Sequence, residues 1–325
     1  MVPLSILDLA PITMGSDAGQ SLKNTLDLAQ HAEAWGYRRY WLAEHHNFSG
    51  VASAATAVVL AHVGAGTSTV RIGAGGIMLP NHAPLVIAEQ FGTLASLYPG
   101  RVDLGLGRAP GTDQATARAL RRTLVGDVDR FPNDVVELLG YFQPTEPGQA
   151  VQAVPGAGLD VPVWILGSSL FGASLAAHLG LPYAFASHFA PADLDEAIAL
   201  YRARFRPSLH LDAPHVMAAL NVFAADTREE AELVSTSMLQ AFANIRRGTN
   251  GPLQAPRAGF KESLSAPERA MLDEMLSCTV VGDPDVVHQG IDAFAARTGA
   301  DEIIVASMIF DHAARLRSYE IAARR

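Results

Sequence analysis

Apolar runs of strand length alternate with longer segments of helical periodicity along most of this chain. Runs rich in Val, Ile and Leu predict strands, and apolar positions three and four residues apart predict helices. The strand runs are residues 4–10, 39–46, 71–79, 102–108, 161–166, 183–187, 216–223 and 301–306. The helical segments are residues 21–35, 53–63, 84–97, 113–124, 132–142, 171–179, 193–205, 227–246 and 284–297.

The order of these elements predicts the fold class. Strands that alternate with helices form parallel sheets, and eight such units predict a closed α/β barrel of the (β/α)8, or TIM, type. A doubly wound open sheet is the alternative, but the number of strands favours the barrel. No linker divides the chain, so residues 1–325 are expected to form one domain. An insertion after strand seven, about residues 227–278, ends in a Gly/Pro-rich segment that is typical of a lid.

Composition narrows the classes of partner and location. The chain has 325 residues, of which 49% are hydrophobic, and a net charge of −9. Because Lys and Arg form no run, the charge argues against nucleic acid and anionic membranes as partners. The lone Cys278 forms no disulfide framework, and no signal peptide or membrane-length apolar stretch is evident. We therefore expect a cytoplasmic protein.

The third strand run contains three glycines, Gly73, Gly75 and Gly76. A glycine inside a strand marks a bulge or a place where another group approaches the backbone closely. Gly75 and Gly76 are therefore candidates for the floor of a ligand site. Tight packing of a helix over small residues is an equally good interpretation of the glycines alone.

A second candidate feature lies where strand five meets its helix. Gly167, Ser168 and Ser169 open the helix, and the free N–H groups and dipole of a helix N-terminus favour an anion. Arg108, at the end of strand four, can pair with a phosphate. Together these residues indicate an anionic cofactor. A simple serine N-cap and a structural ion pair of Arg108 are the alternatives.

The third candidate feature is Glu44-His45-His46, at the end of strand two. Neighbouring residues of a regular strand point to opposite faces, so the two histidines do not readily bind one metal ion. One histidine can act as an acid or base while the other packs. A metal-dependent hydrolase would draw further ligands from His82, His188 and an Asp, but there is no His-x-His pair, and we expect no metal site.

Several of these runs together resemble the bacterial luciferase-like flavin-dependent monooxygenases. The resemblance covers nearly the whole chain, in order. It rests on residues 40–46 (YWLAEHH), 73–80 (GAGGIMLP), 100–108 (GRVDLGLGR), 167–169 (GSS), 175–182 (LAAHLGLP), 281–284 (VGDP) and 301–305 (DEIIV). It implies a (β/α)8 barrel with an insertion after strand seven. It also implies reduced FMN delivered by a separate flavin reductase, O2 as co-substrate, and a peroxyflavin that oxygenates a small organic substrate.

The resemblance also assigns residues by position. His45 matches the family's catalytic histidine. Gly75 and Gly76 match a non-proline cis peptide beneath the flavin ring. Arg108, Ser168 and Ser169 match the pocket for the flavin phosphate. Luciferases carry a cysteine where this chain has Gly107, so light emission is not implied here.

The remaining expectations concern the substrate and the rival functions. His46, Asn81, His82 and His188 are expected to line the substrate side of an apolar pocket, with residues 247–268 closing over it. The resemblance implies homodimers through the helices that follow strands two and three. The alternatives are a deazaflavin (F420)-dependent oxidoreductase on the same barrel and a non-catalytic flavin-binding protein. The sequence does not specify the substrate.

Overall fold

The computed structural model describes residues 1–108, 116, 119–120 and 130–324. Its strands are β1 Leu4–Asp8, β2 Arg39–Leu42, β3 Arg71–Met78, β4 Val102–Gly107, β5 Val163–Gly167, β6 Tyr183–Phe185, β7 Val216–Ala224, β8 Thr279–Gly282 and β9 Glu302–Ala306. Its α-helices are α1 Ala18–Ala34, α2 Thr56–Ala65, α3 Pro84–Leu97, α4 Phe131–Tyr141, α5 Leu170–Leu179, α6 Leu194–Arg204, α7 Arg228–Arg246, α8 Phe260–Ser263, α9 Ala266–Met275, α10 Pro284–Thr298 and α11 His312–Ala323. The helix predicted at residues 113–124 lies for the most part outside the described residues.

Eight of the strands close into a parallel barrel. Strands β1 to β7 pair in chain order, and β9 pairs with both β7 and β1, which closes the ring. The predicted (β/α)8 barrel is therefore confirmed. Its helices cover the outside, where they bury the large apolar cluster between strands and helices, while a smaller cluster that includes Trp41, Trp164 and Met217 fills the interior.

The strand β8 was not predicted and lies outside the ring. It pairs in parallel with β7 alone, so the eighth strand of the barrel is the ninth strand of the chain. Three of its four residues are only partly buried, and so short an edge strand has little apolar signal to distinguish it. The helices α8, α9 and α11 were not predicted either.

Helix α1 starts earlier than its apolar stripe indicates. The carboxylate of Asp17 accepts a hydrogen bond from the backbone N–H of Gln20 at 2.8 Å and caps the helix. Ser21, where the predicted helix begins, lies inside the observed helix, and its hydroxyl donates to the Ala10 carbonyl at 2.8 Å. Gly36 follows the helix with a φ of +83°, a conformation that glycine adopts without strain.

The insertion after β7 packs on its own apolar cluster. Helices α7 to α9 bury Met238, Phe260 and Leu272 in a cluster with Phe223 of β7. Beyond α7, Leu253 is buried and pairs with the loop after β1, since its N–H donates to the Ile12 carbonyl at 2.8 Å.

The same segment of the insertion lies against the loop after β2. The carbonyl oxygen of Gly251 would lie 2.2 Å from a Cβ added at Gly50, so only glycine allows this approach. Residues 250–254 therefore contact loops at the C-terminal end of the barrel.

Charged side chains fill the N-terminal end of the barrel. Arg39 donates to Asp103 at 2.6 Å and to Glu302 at 3.0 Å, and Arg71 donates to Asp103 at 2.6 Å. The indole N–H of Trp41 adds a bond of 3.3 Å to Asp103. Both carboxylates are fully buried, and burial alone would raise the pKa of Glu302, but the nearby His215 and the charge of Arg39 lower it.

Among the described residues, no helix is long and apolar enough to cross a membrane.

Candidate active site

Most of the predicted site residues follow the carboxyl ends of barrel strands. His45 and His46 lie in the loop after β2, Arg108 follows β4 directly, and Ser168 and Ser169 follow β5. His188 lies in the loop after β6, and Asn81 ends a 3₁₀ turn, Leu79–Asn81, that comes directly before His82. Active sites of TIM barrels lie at this end.

Strand β2 is shorter than the predicted 39–46, so the two histidines do not belong to it. It ends at Leu42, so Glu44 to His46 lie in a loop and do not alternate between two faces. The loop turns through Asn47, whose φ is +54°. The prediction that His45 and His46 point to opposite faces of a regular strand was therefore wrong in its premise.

The peptide bond between Gly75 and Gly76 is cis, as the resemblance implied. A Cβ at Gly75 would lie 2.8 Å from Leu7 Cδ1, and one at Gly76 would lie 2.7 Å from the Gly105 carbonyl oxygen. Both glycines therefore accommodate close neighbours, an interior side chain and the backbone of β4. The packing interpretation holds for them, although the neighbour is the barrel interior and not a helix. Their contact with a flavin ring stays a prediction.

The Glu44 carboxylate joins three segments at this end of the barrel. Its Oε1 accepts from His46 Nε2 at 2.7 Å and from His82 Nε2 at 2.8 Å, and its Oε2 accepts from the Met78 backbone N–H at 3.2 Å. Glu44 is 1% exposed, whereas the side chains of His46 and His82 are 16% and 25% exposed. Burial alone would raise the pKa of Glu44, but the hydrogen bonds from His82 and His46 lower it.

These three residues are also a possible metal-binding group. Their ligand-capable atoms all lie within 4.8 Å of one another. The expectation of no metal site considered one of His45 and His46 with His82, His188 and an Asp, and it missed Glu44 as a donor. The signal in the sequence was a glutamate directly beside the two histidines.

His188 is partly buried, like the other histidines of the site. Burial and the nearby His45 lower the pKa of His188 to about 4, so the ring is neutral at pH 7. Its buried Nδ1 has no hydrogen-bond partner among the described residues. A neutral imidazole with an unused polar atom beside His45 is suited to contact a ligand.

Strand β7 holds the loop that carries His188. The buried Asn221 donates to the His188 carbonyl at 2.5 Å and to Thr279 of β8 at 3.2 Å. Ser187 donates to the Ala219 carbonyl at 2.5 Å. Sequence reasoning did not identify Asn221, because a buried polar residue in an apolar strand has a meaning only once its partner is known.

Arg108 lies beside the first turn of α5. Its guanidinium carbon is 4.2 Å from the centre of the Phe171 ring, which brings the cation to the helix N-terminus. Within the described part of the chain, Arg108 makes no salt bridge, so the structural ion pair has no support there. Ser169 occupies the N-cap position with extended backbone, yet its hydroxyl makes no capping bond within those residues.

This donor set fits a phosphate group. A guanidinium, serine hydroxyls and the unpaired N–H groups of a helix N-terminus all donate hydrogen bonds and favour negative charge. The Ser169 hydroxyl, which does not cap its own helix, is available to an anion. Arg108, Ser168 and Ser169 together therefore form a donor set of the kind that binds a phosphate group.

The model of the family described as luciferase-like monooxygenase matches residues 2–302. The chain belongs to the luciferase-like monooxygenase family. A relative named luciferase-like monooxygenase, from Escherichia coli K12, is 53% identical over 321 residues, which cover 99% of this chain and 96% of the relative. The N-acetyl-S-alkylcysteine monooxygenase of Bacillus subtilis is 30% identical over 329 residues, 99% of this chain and 97% of that protein. The resemblance stated from the motifs is confirmed.

Several solved structures share the barrel fold of this chain. The crystal structure of apo-MsnO8 has a TM-score of 0.88 and 34% identity, and the match covers 99% of this chain and 98% of that one. Two more distant structures share the fold alone. The oxygenating constituent of the Pseudomonas putida 3,6-diketocamphane monooxygenase, in complex with FMN, has a TM-score of 0.73 and 16% identity over 100% of this chain and 97% of its own. The F420-dependent tetrahydromethanopterin reductase of Methanopyrus kandleri has a TM-score of 0.67 and 17% identity, over 99% and 97%.

Proposed function

We propose that this member of the luciferase-like family is a monooxygenase that uses reduced FMN and O2 to oxygenate a small, apolar organic substrate. When bound, reduced flavin supplies the oxygen reactivity, while the protein supplies binding, orientation and proton transfer. The observation that carries the proposal is the phosphate-type donor set of Arg108, Ser168 and Ser169 at the C-terminal end of a barrel of this family.

The site residues divide into a phosphate end and a ring end. Arg108 and the N-terminus of α5 bind the phosphate, and Gly75 and Gly76 lie under the ring. His45 is the catalytic residue that moves a proton at the reacting centre. His188 is the less suitable proton donor, because its lowered pKa leaves it neutral at pH 7.

The substrate is held by the histidine side of the pocket. His46, Asn81, His82 and His188 line it in this proposal, and the polar atoms among them orient a mainly apolar molecule. The Bacillus subtilis relative has a name that specifies an S-alkylated cysteine derivative. Thioethers are therefore reasonable first compounds to test.

The insertion closes the site of what we take to be one luciferase-like domain, residues 1–325. Reactive oxygenated flavin must be shielded from water, or its oxygen is lost as hydrogen peroxide. Residues 250–254 already contact the loops after β1 and β2 through Leu253 and Gly251. Movement of the 227–278 insertion about these contacts would open and close the pocket.

The assembly follows from the same proposal. A separate flavin reductase supplies the reduced cofactor in the cytoplasm. The outer faces of α2 and α3 expose apolar side chains, with Val58 71% and Leu97 60% exposed, and these helices form the contact of a homodimer.

Anaerobic titration with reduced FMN, followed by rapid mixing with O2, tests the proposal. Tight binding and a transient absorbance that differs from both reduced and oxidised flavin would support it. Parallel titration with reduced F420 separates the hydride-transfer alternative, because only one cofactor should bind tightly. Binding of oxidised FMN without turnover would favour the non-catalytic alternative, and failure of every flavin to bind would end the proposal.

A further inference from the structure

The Glu44 carboxylate contacts two histidines at once, and both bonds end on the same oxygen. We infer that Glu44 is a positioning residue, which fixes the ring orientation and the tautomer of His46 and His82 and ties the loop of His45 to the end of β3. The consequence for catalysis rests on the proposed function, whereas the geometric part does not.

The hydrogen bonds determine the protonation pattern. A carboxylate accepts and never donates, so each imidazole must carry hydrogen on the Nε2 that faces Glu44. Since one oxygen takes both imidazoles and the other takes the Met78 N–H, the carboxylate is engaged on both sides. Hydrogen bonds to an ionised acceptor are stronger than neutral ones, so each tautomer is strongly preferred.

The position of Glu44 explains why it can organise the site. It directly precedes His45, and its Met78 bond joins it to β3 two residues after Gly76. The bond to His82 adds the segment that follows the 3₁₀ turn. Loss of the carboxylate would therefore loosen three parts of the site together. The two partly exposed imidazoles also cover the buried carboxylate from the open end of the barrel.

Hydrogen bonding accounts for the distances better than a bound metal does. The contacts of 2.7 and 2.8 Å between donor and acceptor atoms are ordinary charge-assisted hydrogen bonds. Ligand atoms placed about 2.0–2.2 Å from a tetrahedral zinc ion lie roughly 3.3–3.5 Å from one another. Glu44 Oε1 would have to move away from both imidazole nitrogens before the group could hold such an ion.

NMR of the ligand-free protein with ¹⁵N-labelled histidine tests the positioning role directly. In alkaline buffer, His46 and His82 should both be Nε2–H tautomers, because each Nε2 faces the Glu44 carboxylate. In Glu44→Gln the neutral amide is a weaker acceptor, and the ratio of Nε2–H to Nδ1–H tautomers should fall about tenfold at both histidines. Nδ1–H tautomers in the wild type, or unchanged ¹⁵N shifts in Glu44→Gln, would overturn the inference.

Glu33→Gln is the matched control. Glu33 also accepts three hydrogen bonds, from the backbone N–H groups of Ser68, Thr69 and Val70, but at the opposite end of β3. The Glu33→Gln substitution should lower stability without changing the ¹⁵N chemical shifts of His46 and His82. A second pair, His82→Gln and His82→Ala, tests rescue: the glutamine amide can still donate to Glu44, so the His46 shifts should be preserved only in the first.

Two further measurements separate the remaining outcomes. A metal bound at one equivalent, whose removal by a chelator changes the His46 and His82 shifts, would replace the positioning role with a metal site. With reduced FMN and O2, release of hydrogen peroxide should be about tenfold faster in Glu44→Gln than in Glu33→Gln. An equal rate in both would refute the link to catalysis. If reduced FMN does not bind at all, the proposed function fails while the NMR result still decides the role of Glu44.

Discussion

The two ends of this barrel use charge in different ways. At the N-terminal end, Arg39 and Arg71 meet the fully buried carboxylates of Asp103 and Glu302 in salt bridges as short as 2.6 Å. At the C-terminal end, the buried Glu44 meets two histidines that are partly exposed. Arginine stays charged at every accessible pH, whereas histidine changes its charge near neutrality.

The difference indicates what each end does for the protein. A closed network of fixed charges resists change, and in barrels the N-terminal end contributes mainly to stability. Each end has a buried histidine nitrogen without a hydrogen-bond partner among the described residues, Nδ1 of His188 and Nε2 of His215, but only His188 follows the carboxyl end of a strand, where TIM-barrel active sites lie. Unused polar capacity is costly in a folded protein unless a ligand meets it. The N-terminal end of the barrel therefore contributes mainly to stability, whereas the C-terminal end carries the groups suited to bind a ligand.

The largest effect is expected from Asp103→Asn. The change takes the shared carboxylate from the buried Arg39 and the partly buried Arg71, and removal of one partner from a buried ion pair costs about 3–5 kcal/mol. The urea midpoint should fall accordingly, while the folded protein keeps its affinity for reduced FMN. Glu232→Gln, in the exposed pair with Arg228, should leave the midpoint almost unchanged. If Asp103→Asn lost its affinity for reduced FMN but kept the stability of the wild type, the division between a stabilising N-terminal end and a functional C-terminal end would be wrong.

The next effect concerns pH and His188. Its folded pKa of about 4 lies below the ordinary value of 6.5, so the unfolded chain binds the proton first as pH falls. Stability from this residue is therefore intact above pH 6.5 and is lost between pH 6.5 and 4, at about 1.4 kcal/mol per pH unit or roughly 3 kcal/mol in all. The free energy of unfolding, measured by urea titration at several pH values from 4 to 6.5, should therefore change less with pH in His188→Leu than in the wild type.

A control for that experiment is His62, an exposed histidine on α2. Replacement by glutamine should leave the pH dependence of unfolding as it is in the wild type. If His188→Leu and His62→Gln flatten the curve equally, the burial of His188 does not govern its protonation.

A smaller effect, on binding, is expected from Arg108→Ala. Loss of hydrogen bonds between a guanidinium and a phosphate costs about 1.5–3 kcal/mol, which weakens reduced FMN binding about 10–100-fold. Reduced riboflavin lacks the phosphate and should bind wild type and variant alike. Titration of both flavins against both proteins measures the difference. A similar loss of affinity for reduced riboflavin would show that Arg108 does not act by binding the phosphate.

The smallest effect is expected at Gly107, where luciferases carry cysteine. A Cβ there would lie 3.0 Å from the Met78 sulfur, which belongs to a flexible side chain, so Gly107→Cys should change stability by no more than about 1 kcal/mol. At Gly105 the Cβ would lie 2.3 Å from the Ala74 carbonyl oxygen, and Gly105→Ala should be far more destabilising. Thermal midpoints compare the two, and equal losses would contradict this distinction.

Several features of the fold follow from local sequence. Helix α3 begins at Pro84 and ends at Leu97, as predicted, because proline favours the first turn and Pro99-Gly100 prevents continuation. The strand runs also predicted the number of strands in the ring and its closure. The short β8 was missed because four partly buried residues carry almost no pattern.

The candidate site could be predicted only in part from local sequence. The serines at the start of α5 and the glycines of β3 were identified because their residue types have local meanings. The contact of Arg108 with Phe171, and the bond from His82 to Glu44, join segments distant in the chain. The early end of β2 at Leu42 also placed the histidines in a loop, which alternation along a strand does not anticipate.

By itself the sequence determined the element types, the barrel and the residue types available at its C-terminal end, because near neighbours control periodicity, capping and turns. Tertiary structure alone decided which of those residues meet. Pairing of β2 with β3 set the loops after these strands side by side and gave Glu44 its two histidines. Burial, which depends on every element packed around a group, then lowered the pKa of His188.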